Sequence, residues 1–234
     1  MVTTGYTGGA CGTLCALDLV ARLLRIDVSA LSDADKTLPV VDPAVRAMVP
    51  DVRMAGPAYT VVAEDDHLPV MAALADADSG DVLVIATNGG SRAVFGELFA
   101  TEARRRGLAG IVADGYCRDL RALRGIGLPV FARGTTPRSG ATRSRAAPGA
   151  TVACGGVDVS PGDIVFGDDD GLLIAAAERI AAALETAELI GRSERAVLAA
   201  QARGEALHTL TNHDEHVAAL DRGEQSSLAF RVDG

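Results

Sequence analysis

The sequence predicts an α/β fold built around a parallel strand–helix–strand unit, with a β-rich layer beside it and a C-terminal helical arm. Three observations predict it. Val82 to Ala86 and Gly110 to Ala113 are continuous aliphatic runs, the pattern of strands buried on both faces. Between them, helical sequence from about Ala93 to Arg106 has the length a crossover connection needs and stops at Gly107. Further on, short aliphatic segments alternate with turn chemistry, then give way to a long Ala/Glu/Arg-rich helix.

In chain order, Leu14 to Leu24 is apolar and periodic and predicts a helix. Pro39, Pro43, Pro50 and Pro57 punctuate an irregular stretch with room for a short helix around Ala44 to Met48. Tyr59 to Ala63 has strand character, and Leu68 to Ala77 predicts a helix stopped at Ser79-Gly80. The aliphatic run at Val82 to Ala86 leads into a Gly-rich turn, Asn88-Gly89-Gly90, and then the crossover helix. Leu128 to Ala132 predicts a third strand. Thr151 to Ala153, Ile164 to Phe166 and Leu172 to Ala175 predict short strands set apart by Gly155-Gly156, Pro161-Gly162 and Asp170-Gly171. The arm helix spans about Ala177 to Arg203, and the tail after Gly204 is polar and loosely patterned. With neither internal repeat nor low-complexity linker, the expected organisation is one domain, with a core over about 14–176 and a helical arm over about 177–234.

Composition narrows the function classes. Of the 234 residues, 48% are apolar and only 3% aromatic, so Ala, Val, Leu and Ile must fill the core and stacking platforms for single-stranded nucleic acid are scarce. The formal net charge of -9 repels phosphate backbones, which argues against a nucleic-acid partner. One loose basic group, Arg133, Arg138, Arg143 and Arg145, reads either as a solvated loop or as a phosphate or RNA surface. Cys11, Cys15, Cys117 and Cys154 lack metal-knuckle spacing, so reduced thiols in a cytoplasmic protein are expected. Met1 to Gly12 has no basic segment leading into a long apolar run, so neither signal peptide nor membrane span is expected.

Two segments carry candidate chemistry. Asp114-Gly115-Tyr116-Cys117-Arg118-Asp119 follows a buried strand, and ligands of open α/β sheets sit at the carboxyl ends of strands. An Arg beside an Asp there offers a forked cation for a carboxylate and an oxygen ligand for a hard metal. The same pair also suits a structural turn with a surface ion pair. The second segment, Asn88 to Glu97, offers free amides at a helix start. Glu97 lies across one crossover from Asp119, so both can reach one end of the sheet; it also suits a first-turn acid favoured by the helix dipole. Weaker candidates are the His208, His213 and His216 trio, the Asp168-Asp169-Asp170 run and the Cys117 thiol. Their plainer readings are a solvated tail, a tight turn and a structural cysteine.

Taken together, Gly89-Gly90, Ala93, Gly96-Glu97, Gly107, Gly110, Asp114-Gly115 and Arg118-Asp119 resemble the signature of a known family. The match continues through Pro129 to Pro137, Gly155-Gly156-Val157, Pro161 to Val165 and Asp168 to Gly171, about residues 52 to 205 in all. The family is the metal-dependent pyruvate-aldolase family related to the regulator of ribonuclease activity A, the RraA-like family. The resemblance implies a phosphohistidine-swivelling-type β/β/α sandwich assembled as homotrimers or homohexamers. It implies cleavage of 4-hydroxy-4-methyl-2-oxoglutarate or 4-carboxy-4-hydroxy-2-oxoadipate to pyruvate, with oxaloacetate decarboxylation, using Mg²⁺ or Mn²⁺. On the matching positions, Asp119 is the metal ligand, Arg118 contacts the substrate carbonyl and carboxylate, and Glu97 holds metal-bound water. The amides of Gly96, Glu97 and Leu98 cradle the pyruvate carboxylate, and Glu194 completes a neighbouring subunit's site. Family members commonly carry an Asp in a Thr-x-Ser-Asp-Ala-Leu segment near the N-terminus; Thr13-Leu14-Cys15-Ala16-Leu17-Asp18 lacks it at that place, which opens the choice of substrate.

Both reactions generate a pyruvate enolate, and a hard cation with a fixed arginine can stabilise that charge. Two rival readings stand beside the aldolase: a non-catalytic regulator that binds a ribonuclease, and a related enzyme acting on another 2-oxo acid.

Overall fold

The computed structural model describes residues 16–231. The expectations for Met1 to Gly12, Cys11, Cys15 and the segment Thr13 to Cys15 lie outside the described residues.

Four parallel strands form the centre of the sheet: β2 (Met54–Val62), β3 (Val82–Ala86), β5 (Gly110–Cys117) and β6 (Val130–Thr135). Antiparallel β9 (Ile164–Asp168) and β10 (Gly171–Ala175) extend it beyond β2, and the short β1 (Arg46–Ala47) lies antiparallel on β6. The order is β1-β6-β5-β3-β2-β9-β10. A bridge from Val40 to Leu173 of β10 draws the two edges together, so the sheet nearly closes on itself. A hairpin of β7 (Val152–Cys154) and β8 (Val157–Val159) stands apart from this path.

The aliphatic runs explain the centre. All five residues of β3 are buried, as a strand covered on both faces requires. The sheet packs with helices α3 (Leu68–Asp76), α4 (Glu97–Arg106) and α5 (Leu120–Ile126) around one large core. A second core lies between β9–β10 and helices α1 (Ala16–Leu23), α2 (Val28–Ala34) and α6 (Ala177–Ala202). Ile180, Ala183, Leu184 and Ala187 of α6 recur at helical spacing and form its buried stripe. This is the predicted α/β architecture, with the C-terminal helix in place.

The structure corrects several local expectations. Ala93 to Phe95 form a strand, β4, because they pair with Tyr116 and Cys117 of β5; the helix begins at Glu97. Arg46 and Ala47 pair with Ala132 and Phe131 instead of forming a helix. Helices α2, α5 and α7 (His213–Asp221) appear where none was predicted. They run over seven to nine residues, too few turns for an apolar period to show.

Candidate active site

The parallel strands bring the ends of β2, β3 and β5 to one side of the sheet, and a small cleft opens there. Its lining includes His67, Gly96, Glu97, Leu98, Arg118, Asp119 and Ser139. The structure therefore gathers five of the six predicted site residues in one place.

Asp119 ends the run out of β5. Its backbone is left-handed, φ 60°, a conformation aspartate tolerates better than most residues. That turn starts α5, and the Asp119 carbonyl accepts the amides of Ala122 (2.8 Å) and Leu123 (3.0 Å). The carboxylate points back at α4, where Oδ2 accepts the Glu97 amide at 3.2 Å. Arg118 Nε lies 3.4 Å from the same oxygen, and both side chains remain 41% exposed. The Arg118 amide bonds to the Phe95 carbonyl at 3.1 Å, which ties this turn to β4. Gly96 sits in the angle between these groups. A Cβ there would lie 2.5 Å from Asp119 Oδ2 and 2.8 Å from Arg118 Cγ, so only glycine permits the approach.

The cradle implied by the resemblance is partly committed. The Glu97 amide is already bonded to Asp119, while the amides of Leu98 and Phe99 belong to the first helical turn and have no helical carbonyl to reach. Leu98 is 77% exposed and overhangs the cleft mouth.

Among the described residues, no group of three His, Cys, Asp or Glu could hold a metal ion. The described residues therefore offer no closed protein cage, and Mg²⁺ or Mn²⁺ would not require one. Such ions keep several waters and need only one or two carboxylates. Asp119 fits that role: its Oδ1 accepts no hydrogen bond from the described residues, and Glu97 stands beside it.

His67 and Ser139 are cleft residues that the sequence reading missed. His67 caps α3, and its amide bonds to the Ala141 carbonyl at 3.0 Å. Ser139 enters on a loop that bridges Ala93. The available signal was Asp65-Asp66-His67-Leu68-Pro69. Asx chemistry and a proline at a helix start, following a strand, mark the ligand-bearing end of a sheet.

Asp66 holds this corner. Burial pushes its carboxyl pKa up, but the amides of Arg143 (2.6 Å), Leu68 (2.9 Å) and Ser144 (2.8 Å) outweigh that and leave it below the usual value. A depressed carboxylate contributes stability above its unfolded value, about 3.9, and loses it as pH falls through its folded value. Asp66→Asn is expected to cost about 1–3 kcal/mol at pH 7. In thermal unfolding the deficit should shrink as pH drops below about 4; an equal deficit at both pH values would exclude this linkage.

Glu194 does not line the cleft. It lies on α6 in a separate groove with Val197, Leu207, His208, His213 and Phe230. His208 and His213 meet there edge to face at 6.3 Å, while His216 Nδ1 faces Ser226 Oγ at 2.9 Å. Cys117 is buried, and burial pushes its thiol up to about 11, which removes it as a nucleophile. Asp168 accepts the amides of Val28 and Asp170, so the acidic run is a β-turn anchor between β9 and β10. Arg133 is withdrawn from the basic group by ion pairs to Asp114 and Asp42. No helix of the described residues is long and apolar enough to cross a membrane.

Comparison with known proteins identifies the family and the fold. Residues 28–174 match the family model RraA-like, described as Aldolase/RraA. A Halalkalibacterium halodurans protein, provisionally named a 4-hydroxy-4-methyl-2-oxoglutarate aldolase, is 34% identical over 160 residues, 68% of this chain and 76% of that one. An uncharacterized protein of Pseudomonas syringae pv. tomato superposes with a TM-score of 0.75 at 26% identity, covering 85% of this chain and 98% of its own. Streptomyces coelicolor RraAS2, described as an unusual member of the RNase ES inhibitor RraA family, superposes with a TM-score of 0.67 at 29% identity. The match covers 76% of this chain and 94% of RraAS2.

Proposed function

This chain belongs to the RraA-like family, and from that premise we propose that it is a divalent-metal-dependent carbon–carbon lyase. It releases pyruvate from a 4-hydroxy-2-oxo acid of the 4-hydroxy-4-methyl-2-oxoglutarate or 4-carboxy-4-hydroxy-2-oxoadipate type, and decarboxylates oxaloacetate as a side reaction. The observation that carries this reading is the meeting of Arg118, Asp119 and the first turn of α4 in one cleft. The name of the Halalkalibacterium relative supports the same chemistry.

Each residue has a part in that chemistry. Asp119 would hold Mg²⁺ or Mn²⁺, and Glu97 would be the second carboxylate available to it. The bound ion supplies Lewis-acid stabilisation of negative charge at the 2-oxo oxygen. Arg118 presents a permanent forked cation to the carbonyl and carboxylate of the pyruvyl group. The free amides of the first α4 turn face the carboxylate with the positive end of the helix. Gly96 keeps these groups close enough to act on one pyruvyl unit.

The test is pyruvate release from a panel of 2-oxo acids, with and without EDTA. Cleavage should stop in EDTA and return with Mg²⁺ or Mn²⁺; full activity in excess chelator would sink the metal mechanism. The likeness to RraAS2 favours a second reading, a regulator that binds a ribonuclease. Absence of any pyruvate release, together with saturable binding to a ribonuclease, would select it.

Glu194 enters as a residue supplied to a neighbouring subunit of a trimer or hexamer, since within its own chain it faces another groove. Arg118→Ala and Glu194→Ala subunits should then rescue each other. Mixed and refolded, they form some sites carrying neither change, and activity should follow the mixing ratio. Absence of recovery despite demonstrated subunit exchange would remove Glu194 from the site.

A further inference from the structure

Retro-aldol cleavage needs a base for the C4 hydroxyl, and the cleft offers few groups for the task. Arg118 is permanently protonated. Asp119 is committed through Oδ2 to the Glu97 amide and the Arg118 guanidinium. Glu97 opens α4 next to Asp119, at the pyruvyl end of the cleft. The remaining titratable group in the lining is His67. We propose that the His67 imidazole is the base for aldol cleavage: it takes the proton of the substrate's C4 hydroxyl and returns it to C3. This rests on the lyase reading above.

Placement carries the argument. His67 follows β2 and Asp119 follows β5, with β3 between them. Two strand spacings are roughly 10 Å, which a pyruvyl unit, one further carbon and two side chains can span. A substrate anchored at Arg118 and Asp119 therefore extends its C4 end toward His67. The imidazole is half-buried and meets Phe99 edge to face at 5.7 Å. Among the described residues no hydrogen bond or ion pair occupies its ring nitrogens, so both the acceptor and the donor positions are available. Its amide bond to Ala141 fixes the backbone from which it projects.

The step balances without another reactant. The hydroxyl proton moves to the imidazole, the C3–C4 bond breaks, and C4 becomes the carbonyl of the departing oxo acid. The electron pair of that bond becomes the enolate of pyruvate. The imidazolium then protonates C3, giving the methyl group and restoring neutral His67. An imidazole suits both transfers because an unprotonated ring nitrogen accepts the hydroxyl proton and the same nitrogen then donates it. Oxaloacetate lacks the hydroxyl, loses CO₂ without that first transfer, and can take its C3 proton from water.

The two reactions separate the proposal from a structural role. His67→Ala and His67→Gln proteins, loaded with Mg²⁺, are assayed with 4-hydroxy-4-methyl-2-oxoglutarate and with oxaloacetate. Expected is a fall of about 10²–10⁴-fold in kcat for aldol cleavage, little change in KM, and oxaloacetate decarboxylation within about tenfold of wild type. Equal losses in both reactions, a loss confined to KM, or unchanged cleavage would each overturn the assignment. If the wild-type protein performs neither reaction, the lyase reading fails instead.

Discussion

Lysine in place of Arg118 is expected to lower kcat/KM for pyruvate release nearly as far as alanine does, about 10²–10³-fold in each case. The reason lies in geometry rather than charge. The amide bond to Phe95 fixes the backbone from which Arg118 projects, and its guanidinium lies 3.4 Å from Asp119 at the cleft. Two parallel donors can meet a carbonyl and a carboxylate together, whereas an ammonium is a strongly hydrated point charge on a flexible stem. Steady-state kinetics of the two variants check this. Near-wild-type turnover in Arg118→Lys would reduce Arg118 to a surface partner of Asp119. Thermal unfolding should barely move in either variant, because an exposed ion pair of this kind contributes at most about 1 kcal/mol.

Gly96→Ala is expected to cost about 10²-fold or more in kcat with little loss of fold. The added methyl would sit 2.5 Å from Asp119 Oδ2 and 2.8 Å from Arg118 Cγ. Both side chains are partly exposed and can swing outward, so the protein survives but its cation and its would-be metal ligand leave their aim. A displacement near 1 Å at reacting groups is enough for a loss of that size. Backbone strain is no part of the effect, since Gly96 is extended, φ -167°. Kinetics alongside a melting curve distinguish the outcomes: retained activity would show that the cleft tolerates the shift, and outright unfolding would show that Gly96 serves packing first.

Much of the site was legible in the sequence because its residues are neighbours along the chain. Arg118 and Asp119 are adjacent and follow an aliphatic run, so their place at a strand end needed only the rule that ligands sit at carboxyl ends of parallel strands. The helix carrying Glu97 and Leu98 was readable with its glycine stop at Gly107, although its start was read at about Ala93 and lies at Glu97. The central strands announced themselves by continuous apolar sequence, and α6 by its length and helical spacing.

Tertiary structure alone decided the rest. Ala93 to Phe95 have no local reason to be a strand; pairing with β5 makes them one and sets Gly96 against Asp119. His67 and Ser139 join the cleft only because β2 lies beside β3 and the loop at Ser139 bridges Ala93. Asp114 shows the converse. It stands within the most suggestive motif, yet it bonds Arg133 and the Gly155 amide and is absent from the cleft lining. Alternation along a strand sends neighbouring side chains to opposite faces, so proximity in sequence could not say which acid of the motif turns toward the site. Short-range patterns determined which segments form strands and helices and where the chemistry begins. Contacts between segments far apart in sequence determined which side chains share a cleft, because strand order and register are settled by burial across the whole sheet.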